Sequence, residues 1–345
     1  MIKMSSESSS PYDFRGGKRY CSLAERSKAL YGTRLQKLVI DAGFTCPNRD
    51  GSKGRGGCFF CDNRAFHPCY SSSDKDILLQ LEEGIEFHKV RYRRSGGYIA
   101  YFQSFSNTYA PVEVLREKYF HALSHPLVVG LAVATRPDCV NEENIALLAE
   151  IRSGKALPGW KRRLRNFSPN GEITAPLVSL ELGIESVYDE TLRKINRLDD
   201  FASAKNALAL ARKAHLPAGG HFIIGLPDET VQMLLDEVCV INTLPLDSLK
   251  FHQLQFIKGT PMEKWRKSQP GRFLTLVLPD YLDLVADMLE RLRPDIAVER
   301  VAGEVPPRFV EGSPWGAVRN TEILRMLDAN LEERNTWQGR LFRKI

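Results

Sequence analysis

Short apolar runs bounded by turn residues punctuate the chain at 38–40, 98–102, 127–134, 177–182, 218–224 and 249–256. Brief, nearly continuous apolar segments of this kind are the mark of parallel strands buried on both faces. Between them lie stretches of helical period. These are 74–92, opening on Asp74; 111–123, with Pro111 in its first turn; and 141–151, 201–214 and 228–242. Ahead of the first strand, Ser22 and Glu25 stand three residues apart. That is the spacing of a capping box, and it predicts a helix reaching Gly32. Six strands alternating with helices predict an α/β fold with a parallel sheet, open or closed towards a barrel. Function in such folds gathers on the loops leaving the C-terminal ends of the strands.

The pattern changes after Thr260: a helix near 281–292, a strand near 295–301, a Pro-rich stretch at 305–314 and a last helix near 317–333. The organisation expected is a disordered Ser-rich tail over 1–18, a core domain over 19–265 and a small α+β extension over 266–345.

Composition narrows the class. With 43% hydrophobic and 26% charged residues, the 345-residue chain reads as a soluble globular protein. Its longest uncharged apolar run, 127–135, falls well short of the roughly 20 residues that span a bilayer. No secretory h-region opens the sequence, so a cytoplasmic, reducing setting is expected. There, seven cysteines point to metal binding or catalysis rather than a disulfide framework. The net charge of +6 is concentrated. Arg152, Lys155, Lys161, Arg162, Arg163 and Arg165 lie in one stretch, 152–171, without a single acidic residue. Trp160 and Phe167 flank its densest part, which suits RNA-backbone binding with base stacking or, equally, a solvated excursion. As a helix-to-strand loop, it belongs at the end of the sheet opposite the functional loops.

The chemistry concentrates directly after the first strand, where Cys46, Cys58 and Cys61 stand at C-x11-C-x2-C. Gly51, Gly54, Gly56 and Gly57 let the loop fold closely around a centre. Arg49, Lys53 and Arg55 add positive charge that favours thiolates. A structural zinc site would need a fourth ligand from His67 or Cys69. A phosphate cradle would need Gly-x4-Gly-Lys-Ser/Thr, which is absent. A [4Fe–4S] cluster needs only three cysteines and leaves one iron open.

Several further pieces follow in order: Asp41-Ala-Gly-Phe-Thr-Cys46-Pro-Asn-Arg-Asp-Gly51, Tyr101-Phe-Gln103 with Asn107-Thr-Tyr109, Thr135-Arg-Pro-Asp-Cys139, Glu181-Leu-Gly-Ile-Glu-Ser186 and Gly225-Leu-Pro227-Asp-Glu-Thr. In this combination the chain resembles the radical S-adenosylmethionine (SAM) superfamily. Within it, the chain resembles a bacterial family of the YhcC/YtqA type related to the Elongator catalytic subunit. The resemblance implies a partial parallel (β/α)6 barrel with a small C-terminal α+β extension. It implies a [4Fe–4S] cluster on Cys46, Cys58 and Cys61, SAM on the open iron, and a 5′-deoxyadenosyl radical formed by reductive cleavage. It places Gln103 near the SAM amino group, Glu181 and Ser186 near the ribose or methionine moiety, and Gly225 and Pro227 by the adenine. An electron donor such as flavodoxin or ferredoxin follows, and tRNA as a partner with a modified wobble uridine as substrate. A small molecule or peptide is the alternative substrate, and a zinc-stabilised RNA-binding protein the alternative without catalysis.

The chain departs from the family in two places. It has Gln103-Ser-Phe-Ser where relatives carry Gly-Gly-Glu, and Asn196-Arg-Leu-Asp-Asp200 where they carry Asn-Arg-Gly-His-Asp. The stretch after Thr260 is too short for the acetyltransferase domain of the Elongator relatives. Elsewhere, Cys21, Cys139 and Cys239 read as small hydrophobes. His252 is a core histidine or a substrate contact, and Arg136 an anion contact or an ion-pair partner.

Overall fold

The computed structural model describes residues 13–89, 95–164, 172–310, 315 and 318–343. The first twelve residues of the expected tail, Tyr92 at the expected end of the second helix, and 165–171 of the basic stretch lie outside them.

Seven strands form one parallel sheet: β1 (Arg34–Ile40), β2 (Ser95–Phe102), β3 (Val128–Thr135), β6 (Leu177–Glu185), β7 (Ala218–Ile224), β8 (Ser248–Gln253) and β9 (Ala297–Arg300), hydrogen-bonded in that order. The expected six-stranded parallel core is thus present, and the extension carries it one strand further, with Ser248 of β8 opposite Ala297 of β9. A two-residue hairpin, β4 (Arg162–Arg163) with β5 (Glu172–Ile173), stands apart.

Helices α1 (Leu23–Tyr31), α2 (Ile77–Lys89), α3 (Val112–Ser124), α4 (Glu142–Arg152), α5 (Asp189–Lys194), α6 (Phe201–Lys213), α7 (Val231–Ile241), α8 (Pro261–Ser268), α9 (Leu278–Arg291) and α10 (Asn320–Glu333) complete the chain. The short α5 and α8 were not legible as periodic segments, since six and eight residues hold too few turns to show a stripe. The capping box at Ser22 does not form. Its side chain caps nothing, and Glu25 turns one helical turn onward to Lys28 at 2.5 Å.

Both faces of β2 and β3 are buried, for two different reasons. The outer face (Tyr98, Ala100, Phe102, Leu131, Val133) joins Leu81, Leu115, Tyr119, Leu123 and Leu148 of the surrounding helices in the main apolar core. The inner face (Ile99, Tyr101, Ala132, Ala134) belongs to a separate cluster that also takes in Leu164. Leu164 leaves the β4–β5 hairpin and packs under Gly97, where a Cβ would meet its Cδ2 at 2.7 Å. The basic stretch therefore puts an apolar plug against the N-terminal mouth of the curled sheet. Trp160 is buried as well, its indole N–H donating to the Leu123 carbonyl and its ring covered by Arg162 at 4.7 Å. It is no platform for a base; α3 and β3 supply the neighbours that bury it.

The edge strands β1 and β9 are brought together by the chain ends. Ser22 pairs in parallel with Val298. The Gln338 side chain accepts from the Cys21 N–H and donates to the carbonyls of Arg293 and Ile296.

Candidate functional site

The loop after β1 is built on its own backbone. The N–H groups of Arg49 and Asp50 donate to the Cys46 carbonyl, and those of Lys53 and Gly54 to the Pro47 carbonyl. Gly57 donates to Asn48, and Cys61 to Cys58. Gly57 sits at φ +81°, where a Cβ would stand 2.8 Å from the Arg49 guanidinium, so only glycine fits both backbone and neighbour. The segment following α5 locks the loop from outside. Phe59 N–H donates to the Ile195 carbonyl, and the Asn48 and Asn196 side chains donate to each other's strand of the contact, at Asn196 O and Gly57 O.

Cys58 is buried, while Cys46 and Cys61 are half-buried. Arg197 Nη1 donates to Cys58 Sγ at 3.6 Å, and Asn48 Nδ2 reaches the same sulfur at 3.8 Å. Arg49 Nη2 holds the Cys61 carbonyl at 2.7 Å. Burial and the neighbouring Cys58 push the Cys61 thiol up to about 11, with Arg49 pulling the other way. Arg49 alone thus does not make Cys61 a thiolate; a cation bound beside it would. Of the loop's other expected cations, Lys53 is spent on Asp138 at 2.5 Å.

The expected zinc ligands are not available. Cys69 is exposed, and His67 bonds Ser104 at 2.6 Å with Asp41 behind it. Among the described residues, no three His, Cys, Asp or Glu side chains gather closely enough to hold a single metal ion. The donor set fits a cluster better. A [4Fe–4S]2+ core with three thiolates carries a net negative charge, which grows on reduction. Three buried or half-buried arginines, Arg49, Arg136 and Arg197, stand about the cysteine loop. One of them, Arg136, has an Nη1 with no hydrogen-bond partner in the protein, while its Nε and Nη2 form the fork on Asp138. The sequence left Arg136 between an anion contact and an ion pair; it is the ion pair, with one donor to spare.

The strand ends bring the other expected residues to this same rim, with differences. Gln103 follows β2, its N–H on the Ile40 carbonyl. Gly225, at φ +93°, follows β7 and lines an apolar cleft with Leu254, Phe256, Leu274 and Leu276. Pro227 is buried beside it. Ser186 directly follows β6 but donates to Glu229 Oε1 at 2.7 Å. Glu181 is mid-strand rather than at the rim, and its carboxylate is taken by Lys37, Lys250 and His221. The residue that occupies the rim is Glu185, which has φ +70° and is raised by burial, with Arg197 at 3.8 Å. Arg197 and Glu185 were missed as site residues. Both stood in the quoted motifs, and a buried charge beside a cysteine loop was the signal.

Glu229, in the turn that carries Gly225, is raised to about 7 by burial, and its Oε2 has no partner. Glu237 beneath it is raised by burial and by Glu229. A carboxyl whose folded value lies above its unfolded one stabilises fully below the unfolded value and loses that contribution as pH climbs through the folded one. Glu229→Gln, permanently neutral, is therefore expected to decline less steeply in urea midpoint than wild type between about pH 5 and 8, the slope that remains coming from Glu237. Parallel declines would remove Glu229 as the cause.

Residues 50–238 match the Radical SAM superfamily and residues 246–333 its C-terminal domain. The chain is 34% identical to YtqA of Bacillus subtilis over 333 residues, 95% of this chain and 94% of that one. It is 33% identical to YhcC of Escherichia coli K12 over 304 residues, 88% of this chain and 89% of that one. In fold it is similar to the archaeal Methanocaldococcus infernus Elp3, with a TM-score of 0.63 at 14% identity, covering 88% of this chain but only 64% of that one. No helix among the described residues is long and apolar enough to cross a membrane. The curled parallel sheet, the cysteine loop at its C-terminal rim and these matches agree: the chain belongs to the radical SAM superfamily, whose members use a [4Fe–4S] cluster and SAM.

Proposed function

We propose that Cys46, Cys58 and Cys61 hold the cluster, and that the chain is a tRNA-modifying radical SAM enzyme acting on a modified wobble uridine. The observation that carries the first part is the Cys58 thiol under the Arg197 guanidinium at the rim of β1 and β6. Held there and reduced, a cluster would supply the single electron for reductive cleavage of SAM, the source of radical chemistry on the substrate. The chain's own residues do the rest. Arg49, Arg136 and Arg197 set a positive field around the thiolates. The Gly225–Pro227 turn and its apolar cleft receive the adenine, and Gln103 and Ser186 stand towards the remainder of SAM. Glu185 takes the rim position expected of Glu181, because the latter has no free oxygen. Flavodoxin or ferredoxin is the proposed donor.

The tRNA reading rests on the resemblance to the Elongator type and on exposed cations at Arg152, Lys155 and Arg163. It is tested by mass spectrometry of tRNA nucleosides from cells with and without the protein. A changed wobble-uridine profile is expected, with accumulation of a carboxymethylaminomethyl-type precursor. An unchanged profile gives way to the small-molecule or peptide substrate.

A further inference from the structure

The inner face of the sheet is not apolar throughout. Lys37 of β1, Tyr101 of β2, Glu181 of β6, His221 of β7, Lys250 and His252 of β8, and Glu299 of β9 all converge there. Lys37 bridges Glu181 and, at 2.7 Å, Glu299. Lys250 reaches Glu181, Glu299 at 3.3 Å and the Tyr101 hydroxyl at 3.2 Å. His221 bonds Glu181 at 3.0 Å and meets the His252 ring at 6.0 Å between centroids.

This space is not packed shut. The side chains of Lys37, Glu299 and His221 keep 24%, 20% and 18% of their surface, whereas Leu38 and Phe251, on the outer face of β1 and β8, keep none.

Arg300 completes the set. The register between β8 and β9 slips after Leu249, which sets two residues, Glu299 and Arg300, against Lys250. Such an irregularity re-aims a side chain, and the Arg300 charge bears on both Tyr101 and His252 inside the lumen. Arg300 is half-buried, and among the described residues it has neither ion pair nor hydrogen bond. The loop beyond it is pinned: Gln253 exchanges two hydrogen bonds with Gly303 at 2.8 and 3.0 Å. Burial pushes His221 down to about 4 and His252 well below its usual value, so neither adds charge at neutral pH. Among the described residues, three cations against two carboxylates leave the lumen with one positive charge, on a guanidinium without a partner.

We propose that Arg300 anchors a carboxylate group of the substrate inside the barrel. One uncompensated charge suits a monoanion, and a guanidinium fork matches a carboxylate's two oxygens. A phosphate dianion would leave the lumen negative beside Glu299 and Glu181. The inference deepens the catalytic reading above, since it takes the lumen as the place where substrate is received.

The test uses the reconstituted holoenzyme under anaerobic conditions. Phenylglyoxal labels guanidinium groups, and peptide mass spectrometry reads the rate at Arg300. N-acetylglycine, a monoanion, is expected to slow that labelling saturably, by about threefold at twice its half-protecting concentration. Its neutral isostere N-acetylglycinamide is expected to do nothing. Equal protection by acid and amide, no protection by either, stronger protection by inorganic phosphate, or an Arg300 that never labels would each overturn the proposal. No RNA enters this experiment, so an unchanged tRNA profile leaves its outcome standing. Conversely, a changed profile with no protection sinks the carboxylate anchor alone.

Discussion

Cys58→Ala is expected to yield a colourless protein that releases at least ~100-fold less 5′-deoxyadenosine from SAM than wild type under reducing, anaerobic conditions. The magnitude follows from its position. Losing a group that merely orients a metal ligand costs 10–100-fold in affinity or activity in other metal sites, and losing one of three ligands goes further. Cys58 is also the thiol that Arg197 and Asn48 both address, so its removal leaves Arg197 Nη1 without its acceptor, while Asn48 keeps the Asn196 carbonyl. Cys69→Ala supplies the contrast. Its thiol is exposed and outside the loop's hydrogen bonding, so iron, sulfide and SAM cleavage should match wild type. The measurements are iron and sulfide content, visible absorbance and 5′-deoxyadenosine by chromatography. A Cys58→Ala protein that keeps its colour and cleaves SAM would overturn the ligand assignment, and a Cys69→Ala protein that loses both would revive a fourth thiol.

The strand positions were legible because burial on both faces leaves an apolar run: β2 and β3 lie within a few residues of where the sequence puts them. The cysteine loop was legible because its chemistry is local, all within sixteen residues. What was not legible depended on curl. Lys37 and Glu181 are 144 residues apart, and only the bending of the sheet makes them neighbours across its interior. Glu181 therefore read as a rim residue when it is an internal one. The same holds for Trp160, whose flanking cations suggested a stacking surface. The side chain instead folds under Leu123, from an element 37 residues earlier. The Ser22 box failed for a smaller reason: Glu25 had a second suitor in Lys28, and helical spacing lets either partner win.

Lys250→Met should be the most damaging change away from the cluster, lowering unfolding free energy by about 3–5 kcal/mol. Lys250 is 2% exposed and stands between Glu181 and Glu299, so a methionine fills its volume but leaves the buried Glu181 and the half-buried Glu299 with Lys37 as the cation still paired to both. The pH dependence separates this from a packing defect. In wild type, burial works to raise Glu181, but Lys250 and Lys37 overcome it and hold the carboxyl well below its usual value. Such a group contributes stability above its unfolded value and loses it as pH falls through the folded one. Without Lys250, burial dominates, Glu181 takes up a proton at higher pH, and the penalty of the naked charge is relieved as the solution becomes acidic. The gap between variant and wild type in urea unfolding should therefore be widest near about pH 7 and narrow towards about pH 4. A packing defect would give a gap that does not change with pH. Double replacement with Glu181→Gln should restore part of the loss at neutral pH, because the stranded charge goes with it. A pH-independent gap together with no restoration in the double variant would show that the lumen's ions are solvated, and that Lys250 contributes its methylenes rather than its charge.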